Sequence, residues 1–240
     1  MTNFRLADDF INLFPDAQIG LVHVTGINNR AQVRESAEIL NRQIGETASL
    51  LPEEEFAAHP AIAPWREAYA RFGVKPSKTR SSIENLLRSA KSGRLRSINP
   101  LVDLYNSISL AWQLPVGGED LDQVVGDIVL TRATGTEPFT PLGGTENEPP
   151  PPGAVIYRDD IGVLCSCWNW READRTKLTE QTMRAVLVVE SIPPLDPALH
   201  ELALEALANR VVAHLGGATR IRVLNRDTPE ATLGVEGLPQ

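Results

Sequence analysis

The sequence has few of the residues on which most metal sites and nucleophilic motifs depend. Its 240 residues include two cysteines, Cys165 and Cys167, and four scattered histidines. Two cysteines one residue apart give no disulfide framework, which is typical of a reducing compartment. No neighbouring cysteine or histidine completes a four-ligand metal set. We therefore predict a protein without a metal or other cofactor, in which both cysteines are small core residues.

Long apolar runs and nucleotide-binding glycine motifs are also missing. No run approaches the roughly 20 residues of a membrane-spanning helix. The N-terminal segment MTNFRLADDFINLF has acids where a secretory signal has basic and apolar stretches. Neither a P-loop nor a dinucleotide-binding fingerprint occurs, and no local signature of a Ser-His-Asp or Cys-His pair is present. We expect a cytoplasmic protein without membrane contact or an evident protein partner. If it is an enzyme, it works without an obvious nucleophile.

The hydrophobic fraction of 42% and the charged fraction of 22% are ordinary for a globular domain. Helix start signals occur at Ser81, with Glu84 three residues later, and at Asn99, which precedes Pro100. Gly117 and Gly118 are expected to form a turn after the second of these helices. The patterns predict helices over 28–49, 60–71, 81–93, 99–112 and 199–215, and strands over 16–27, 126–133, 154–168 (a hairpin), 185–192 and 219–224.

This mixture predicts an α/β (α+β) fold with a mixed, largely antiparallel sheet flanked by helices. We expect one domain over residues 1–228. Within it, residues 1–74 form an N-terminal strand and helices, and residues 75–228 hold the core. Residues 229–240 are expected to be a frayed C-terminal tail.

A basic segment stands out because the whole chain carries a net charge of −8. Glu84 is the only acid within it, so the compensating acids of an ordinary exposed helix are missing. The segment also contains a helix N-terminus, which favours phosphate. Solvated charges and contact with an anion or nucleic acid both remain possible interpretations. Its seven basic residues are Lys75, Lys78, Arg80, Arg88, Lys91, Arg94 and Arg96.

Carboxylates recur in the following segments. Asp103 and Asn106 share one face of the helix over 99–112, and Glu119 and Asp120 follow the expected glycine turn. These groups could bind a cation or an amine, or could simply form a wet surface. Glu190 lies inside the apolar strand over 185–192, on the face of alternate valines, so it either faces water at an edge or lines a pocket.

A run in this part of the chain, NPLVDLYNSISLAWQLPVGGEDLDQVVG, resembles the segment VDVTNYV…G-x-P…D-x-D…G. That segment belongs to the editing domain of the bacterial phenylalanyl-tRNA synthetase beta subunit. Further pieces follow in the same order: Arg132, Glu137-Pro138-Phe139, Gly143-Gly144, the hairpin, and 176–182 leading into 185–192. The resemblance covers roughly Arg80 to Ile192, about half the chain. Nothing resembles the aminoacylation domain of a synthetase.

The resemblance implies the fold of that editing domain and a free-standing deacylase that clears mischarged tRNA in trans. Such sites are thought to hydrolyse the aminoacyl ester with a positioned water rather than a covalent nucleophile. We accordingly predict tRNA contact by the seven basic residues named above. Predicted catalytic residues are Asn106, Asp120 and Glu190; predicted substrate-binding residues are Asp103, Tyr105, Glu119, Trp168 and Thr182.

The substrate is expected to differ from that of the synthetase. The synthetase domain has a histidine after its Gly-x-Pro turn, whereas this chain has Gly118 or a neighbour there. Carboxylates at Asp103, Glu119, Asp120 and Glu190 would suit a guanidinium-like side chain. The leading hypothesis is therefore tRNA(Arg) charged with canavanine. The alternatives are another mischarged tRNA such as tyrosyl-tRNA(Phe), a non-catalytic RNA or amino-acid binding module, and a metal-dependent hydrolase.

Overall fold

A computed structural model describes residues 2–51 and 56–234 of the chain. Its helices largely follow the sequence patterns. Ser81 Oγ accepts the Glu84 N–H and Asn99 Oδ1 accepts the Val102 N–H at 3.1 Å, so both predicted caps are confirmed. The helices are α1 (Asp8–Leu13), α2 (Val33–Leu50), α3 (Ala63–Arg71), α4 (Ser82–Lys91), α5 (Pro100–Trp112) and α6 (Pro197–Leu215), with a 3₁₀ turn at Phe56–Ala58.

The described strands form two sheets, and all neighbouring strands except one pair are antiparallel. The six-stranded sheet has the order β10-β1-β4-β5-β6-β7, in which β1 and β4 are parallel. Its strands are β1 (Asn3–Leu6), β4 (Ile128–Arg132), β5 (Val155–Arg158), β6 (Val163–Ser166), β7 (Arg171–Glu172) and β10 (Glu230–Thr232). The predicted mixed, largely antiparallel α/β fold is therefore confirmed.

The four-stranded sheet has the order β3-β8-β2-β9. Val186 and Val188 on β8 belong to the hydrophobic cluster shared with the six-stranded sheet, whereas Leu187 and Val189 pack into the cluster beneath α5 and α6. Glu190 lies on the same face of β8 as Val186 and Val188, because alternate residues of a strand share a face. Its side chain therefore faces the space between the two sheets. The strands are β2 (Gln18–Thr25), β3 (Val116–Asp120), β8 (Arg184–Ser191) and β9 (Ala218–Leu224).

The expected glycine turn at Gly117 and Gly118 is wrong, because both residues lie inside β3. Helix α5 ends instead at Trp112, and the following residue, Gln113, takes a left-handed conformation with φ of 55°. Both glycines serve close packing. A Cβ on Gly118 would lie 2.6 Å from Leu187 Cδ2, and one on Gly117 would lie 2.8 Å from Glu172 Oε1. Glu119 and Asp120 are consequently strand residues.

The predicted frayed tail from residue 229 is wrong for Glu230–Thr232. These residues form β10, which pairs with β1 and is followed by the buried Leu233. The remainder of that tail, residues 235–240, lies outside the described residues. Strand β1, helix α1 and the two-residue strand β7 also escaped the sequence patterns because each is short. Within the described residues, no helix has the length and apolar character needed to span a membrane.

Candidate active site

A narrow cavity lies where the two sheets meet the N-terminus of α4. Its volume is about 30 Å³, which is room for roughly two water molecules. Among the described residues that line it, none is a lysine or an arginine. The polar lining residues are Ser82, Glu119, Tyr157, Cys165, Trp168, Asn169, Glu172 and Glu190. The cavity therefore combines several acids with no cation from the chain.

Glu190 is held from both sides. Tyr157 Oη donates to Glu190 Oε1 at 2.5 Å, and Asn169 Nδ2 donates to Glu190 Oε2 at 2.5 Å. Burial raises the pKa of Glu190 to about 7, although these two hydrogen bonds oppose the rise. The carboxyl group is therefore fixed in place and exchanges its proton near neutral pH.

Asn169 belongs to a strained turn that connects β6 to β7. The two preceding residues, Cys167 and Trp168, have φ values of 51° and 66°, a conformation that costs about 1–3 kcal/mol for each residue. Asn169 Oδ1 accepts two hydrogen bonds, one from Tyr69 Oη at 2.8 Å and one from the Ser82 N–H at 3.2 Å. The turn thus ties α3 and α4 to the amide that orients Glu190.

Glu119 and Glu172 approach one another from different sheets. Glu119 lies on β3 and Glu172 on β7, and their carboxyl groups interact within hydrogen-bonding range. Burial, and next the charge of Glu172, raise the pKa of Glu119 well above its usual value. Burial likewise raises the pKa of Glu172 to about 7. Two adjacent buried carboxyl groups cannot both ionise without an added cation.

Apart from the contact between the carboxyl groups of Glu119 and Glu172, several polar atoms at the cavity have no hydrogen bond of ordinary geometry to another described residue. Buried polar atoms in native proteins nearly always have one, so unpartnered atoms gathered at a cavity indicate a site for a polar ligand. One of these atoms is a serine hydroxyl oxygen, one is an indole nitrogen and two are carboxyl oxygens. They are Ser82 Oγ, Trp168 Nε1, Glu119 Oε2 and Glu172 Oε2.

The ring of Trp168 is part of the core rather than of an open surface. Its centroid lies 4.7 Å from that of Phe14, 5.0 Å from that of Trp65 and 5.1 Å from that of Phe10. The residue is fully buried and also lines the cavity. The surrounding rings therefore fix the position of its indole N–H.

Asp120 and Thr182, two other predicted site residues, lie together outside the lining of the cavity. Thr182 Oγ1 donates to Asp120 Oδ2 at 2.6 Å, and Asp120 Oδ1 accepts the Asp122 N–H at 3.0 Å. Asp103 is likewise engaged, because its carboxylate accepts Ser97 Oγ and the Ile98 N–H. These acids hydrogen-bond to neighbouring loop residues, and their predicted roles in the site remain predictions.

Asn106 and Tyr105 belong to α5. Asn106 is buried but does not line the cavity. Burial raises the pKa of the Tyr105 phenol, and the charges of Glu172 and Glu119 raise it further. Tyr105 therefore lies near the acid pair. Of the eight predicted catalytic and substrate-binding residues, three line the cavity: Glu119, Trp168 and Glu190. The predicted roles of Asn106 and Tyr105 are left open by this placement.

The basic segment divides into engaged and exposed side chains. Glu84 is fully buried and binds Arg66 at 2.9 Å, Arg88 at 3.0 Å and Arg80 at 3.5 Å. The premise that the segment lacks a compensating acid is therefore wrong for Arg80 and Arg88. Lys91 Nζ donates to two carbonyl oxygens at the end of α2. The other members of the segment, which are all exposed at the surface, are Lys75, Lys78, Arg94 and Arg96.

Both cysteines are buried and unpaired, as predicted, and Cys165 also lines the cavity. Within the described residues, no group of three or more histidine, cysteine, aspartate and glutamate side chains is arranged to hold a metal ion. Sequence reasoning missed several residues of the site. These are Ser82, Tyr157, Asn169 and Glu172, and none of them carries a local motif that marks it.

The proton held by Glu190 should make stability depend on pH. Its folded-state pKa of about 7 lies above the value of about 4.3 in an unfolded chain. The native state then binds a proton that the unfolded state has released, so the free energy of unfolding should fall by roughly 3 kcal/mol from about pH 4.5 to about pH 7. Urea denaturation across this range should show that Glu190→Gln has a shallower decline than the wild type. Equal slopes would contradict the assignment.

The family of the chain follows from its similarity to known proteins. Residues 64–216 match the family model described as the B3/4 domain. The chain belongs to this family, which is found in the phenylalanyl-tRNA synthetase beta subunit.

Two relatives carry similar sequence or structure in longer chains. The phenylalanine–tRNA ligase beta subunit of Shewanella oneidensis is 28% identical over 141 residues, which cover 59% of this chain and 17% of that subunit. A crystal structure of an N-terminal fragment of the phenylalanyl-tRNA synthetase beta subunit from Pyrococcus horikoshii aligns with a TM-score of 0.47 and 13% identity. That alignment covers 91% of this chain and 50% of the fragment. The chain thus spans half or less of the length of each.

Proposed function

We propose that the chain is a trans-editing hydrolase that deacylates mischarged aminoacyl-tRNA. The observation that carries this proposal is the cavity in which Glu190 is held by Tyr157 and Asn169 beside unpartnered polar atoms. Membership of a family found in a tRNA ligase subunit supports a role in tRNA editing. Among the described lining residues there is no serine–histidine or cysteine–histidine pair, which suits catalysis by a positioned water.

In this mechanism Glu190 is the general base. A water in the cavity attacks the ester carbonyl and Glu190 accepts its proton. As the ester C–O bond breaks, Glu190 returns this proton to the departing ribose oxygen, which leaves the free amino acid and a free ribose hydroxyl. A pKa of about 7 suits a base that works at neutral pH. Trp168 Nε1 and Ser82 Oγ are unpartnered donors at the cavity and would stabilise the oxygen that gains charge.

The cavity admits about two waters, so it must widen to accept an aminoacyl group. Side-chain movements at a binding surface are common on complex formation. Asn106 and Asp120 remain proposed contributors. Since neither lines the cavity, we propose that they support the site rather than transfer a proton.

The leading substrate is tRNA(Arg) charged with canavanine, whose side chain ends in a guanidinium-like group. Three carboxyl groups, Glu119, Glu172 and Glu190, line the cavity, and no basic side chain of the described lining neutralises them. Carboxylates bind such a group through paired hydrogen bonds. Tyrosyl-tRNA(Phe) is the second candidate substrate, and binding without hydrolysis is the second candidate function.

A deacylation assay with canavanyl-, arginyl- and tyrosyl-tRNA tests the proposal. The expected result is rapid hydrolysis of canavanyl-tRNA and slow hydrolysis of tyrosyl-tRNA. Preferential turnover of tyrosyl-tRNA would retain the editing function and overturn the substrate. Failure to hydrolyse any charged tRNA, with correctly folded protein, would overturn the enzyme itself.

The basic residues at the surface of the segment predict salt-dependent tRNA binding. Replacing Lys75, Lys78, Arg94 and Arg96 by glutamine should raise KM for charged tRNA with little change in kcat. The slope of log affinity against log salt should flatten by roughly one for each phosphate that is no longer neutralised. Glutamine at Arg5 and Arg226 provides a control with the same chemistry elsewhere on the surface. Equal slopes for the two variants would contradict a tRNA surface at the basic segment.

A further inference from the structure

We propose that Glu119 and Glu172 form the element that determines substrate specificity, and that this acid pair binds the cationic end of the amino-acid side chain. The inference rests on the proposed function, in which the cavity receives the aminoacyl group. It assigns a division of labour: the acid pair selects the side chain, whereas Glu190 acts on the ester. No local sequence pattern marks Glu172 as a site residue, and only the fold places it in the lining of the cavity.

The geometry that supports the pair comes from close packing between the sheets. Glu172 lies directly over β3, since a Cβ on Gly117 would be 2.8 Å from Glu172 Oε1. Glu119 stands two residues further along the same strand, and its carboxyl group interacts with that of Glu172. A residue with a side chain at position 117 would displace the Glu172 carboxyl group and separate the pair.

An independent observation points to a ligand. Glu119 is 6% exposed, and among the described residues no donor outside the acid pair reaches its Oε2 atom. Glu172 Oε2 is also buried and unpartnered within that part of the chain, and both residues line the cavity. Trp168 is fully buried in the same lining, and its indole N–H, which faces Glu190, makes no hydrogen bond of ordinary geometry within the described residues. The cavity therefore offers a ligand two carboxyl oxygens that no donor outside the pair reaches, together with an indole N–H.

The charged and titratable groups around the pair do not supply a counter-ion within the described lining of the cavity. Glu190 and Cys165 share the lining, and Tyr105 approaches from α5. The charge of Arg175 lowers the pKa of Glu119, but Arg175 does not line the cavity, and its guanidinium binds Asp159 at 2.9 Å and the Gln123 carbonyl at 2.7 Å. A ligand that brings its own positive charge completes this arrangement.

The chemistry of two adjacent acids defines the substrate class. Without a cation, the pair retains a proton because two buried carboxylates side by side repel one another. An arriving guanidinium or ammonium group displaces that proton and donates charge-assisted hydrogen bonds to the carboxylate oxygens. An uncharged side chain such as that of tyrosine leaves acceptors without partners, which weakens binding. Specificity for cationic side chains follows.

The test compares Glu172→Gln and Glu119→Gln with Glu205→Gln, which replaces an exposed glutamate on α6. The readout is the ratio of kcat/KM for canavanyl-tRNA to kcat/KM for tyrosyl-tRNA. Loss of a charge-assisted hydrogen bond should lower this ratio by about 10- to 100-fold, mainly through KM. Gly117→Ala keeps both charges but displaces Glu172, so it should lower the ratio in the same direction. The substrate ratio of Gly117→Ala therefore tests the role of the acid pair even if a glutamine variant fails to fold.

A second measurement separates failure of this inference from failure of the proposed function. Calorimetric titration with argininamide, in buffers of different ionisation enthalpy, should show proton release on binding to the wild type and a smaller release for Glu172→Gln. Binding with proton release but no hydrolysis of any charged tRNA would retain the acid pair and overturn the editing function. Hydrolysis with an unchanged substrate ratio in all three variants would retain editing and overturn the inference.

Discussion

Glu190→Gln is expected to lower kcat for deacylation by about 10²- to 10⁴-fold, the usual contribution of a general base. Glutamine can still accept the hydrogen bond from Asn169 and donate to Tyr157, so the fold should persist. Removing a buried ionisable group should also leave the variant at least as stable as the wild type above pH 7, because the carboxylate no longer has to ionise in a buried site. A stable and inactive variant is the expected combination.

The measurement is single-turnover deacylation of the preferred charged tRNA as a function of pH. Wild-type activity should rise with pH through about 7, because the active base is the carboxylate. Glu205→Gln serves as the matched control and should retain the wild-type rate and profile. A Glu190→Gln rate within about threefold of the wild type would rule Glu190 out as the base.

Glu84→Gln should have the largest effect on stability, a loss of about 3–5 kcal/mol in the free energy of unfolding. Glu84 is fully buried and faces the guanidinium groups of Arg66, Arg80 and Arg88. Without the carboxylate, three positive charges remain close together around a neutral amide. Helix α4 begins near the cavity and carries Ser82, so its displacement should also reduce activity.

Urea denaturation measures this loss, and the chain offers a contrasting pair as the control. Glu38 pairs with Arg34 on the exposed face of α2, where both side chains are largely in solvent. Glu38→Gln should therefore cost only about 0.3–0.5 kcal/mol. Similar small losses for both variants would show that the buried cluster around Glu84 contributes little to folding.

Helices α4 and α5 could be predicted because their N-termini carry local chemistry, whereas α2, which lacks a side-chain cap, begins at Val33 rather than at residue 28. Ser81 and Asn99 accept the N–H groups that a cap must satisfy, and Pro100 occupies a position where no donor is needed. The long strands were equally clear from their apolar runs. Strand β3 was not, because Gly117 and Gly118 carry the signature of a turn. Their real constraint is the approach of Glu172 and Leu187, which depends on the tertiary packing.

The candidate site was only partly predictable for the same reason. Glu190 could be identified because a carboxylate inside an apolar strand needs a partner or a pocket. Asn169 reaches it only because two residues before it adopt positive φ values, and nothing local encodes that turn. Glu84 shows the opposite problem. In sequence it is a single acid among bases, whereas in the structure it is the buried centre of their ion pairs.

The central claim is that the cavity between the sheets receives the aminoacyl end of tRNA. The most direct test is a crystal structure with an adenosine whose terminal ribose carries arginine through a stable amide. The expected result is a widened cavity with the guanidinium between Glu119 and Glu172 and the amide carbonyl beside Glu190 and Trp168 Nε1. Binding of this analogue at any other surface, with the cavity unchanged, would contradict the claim.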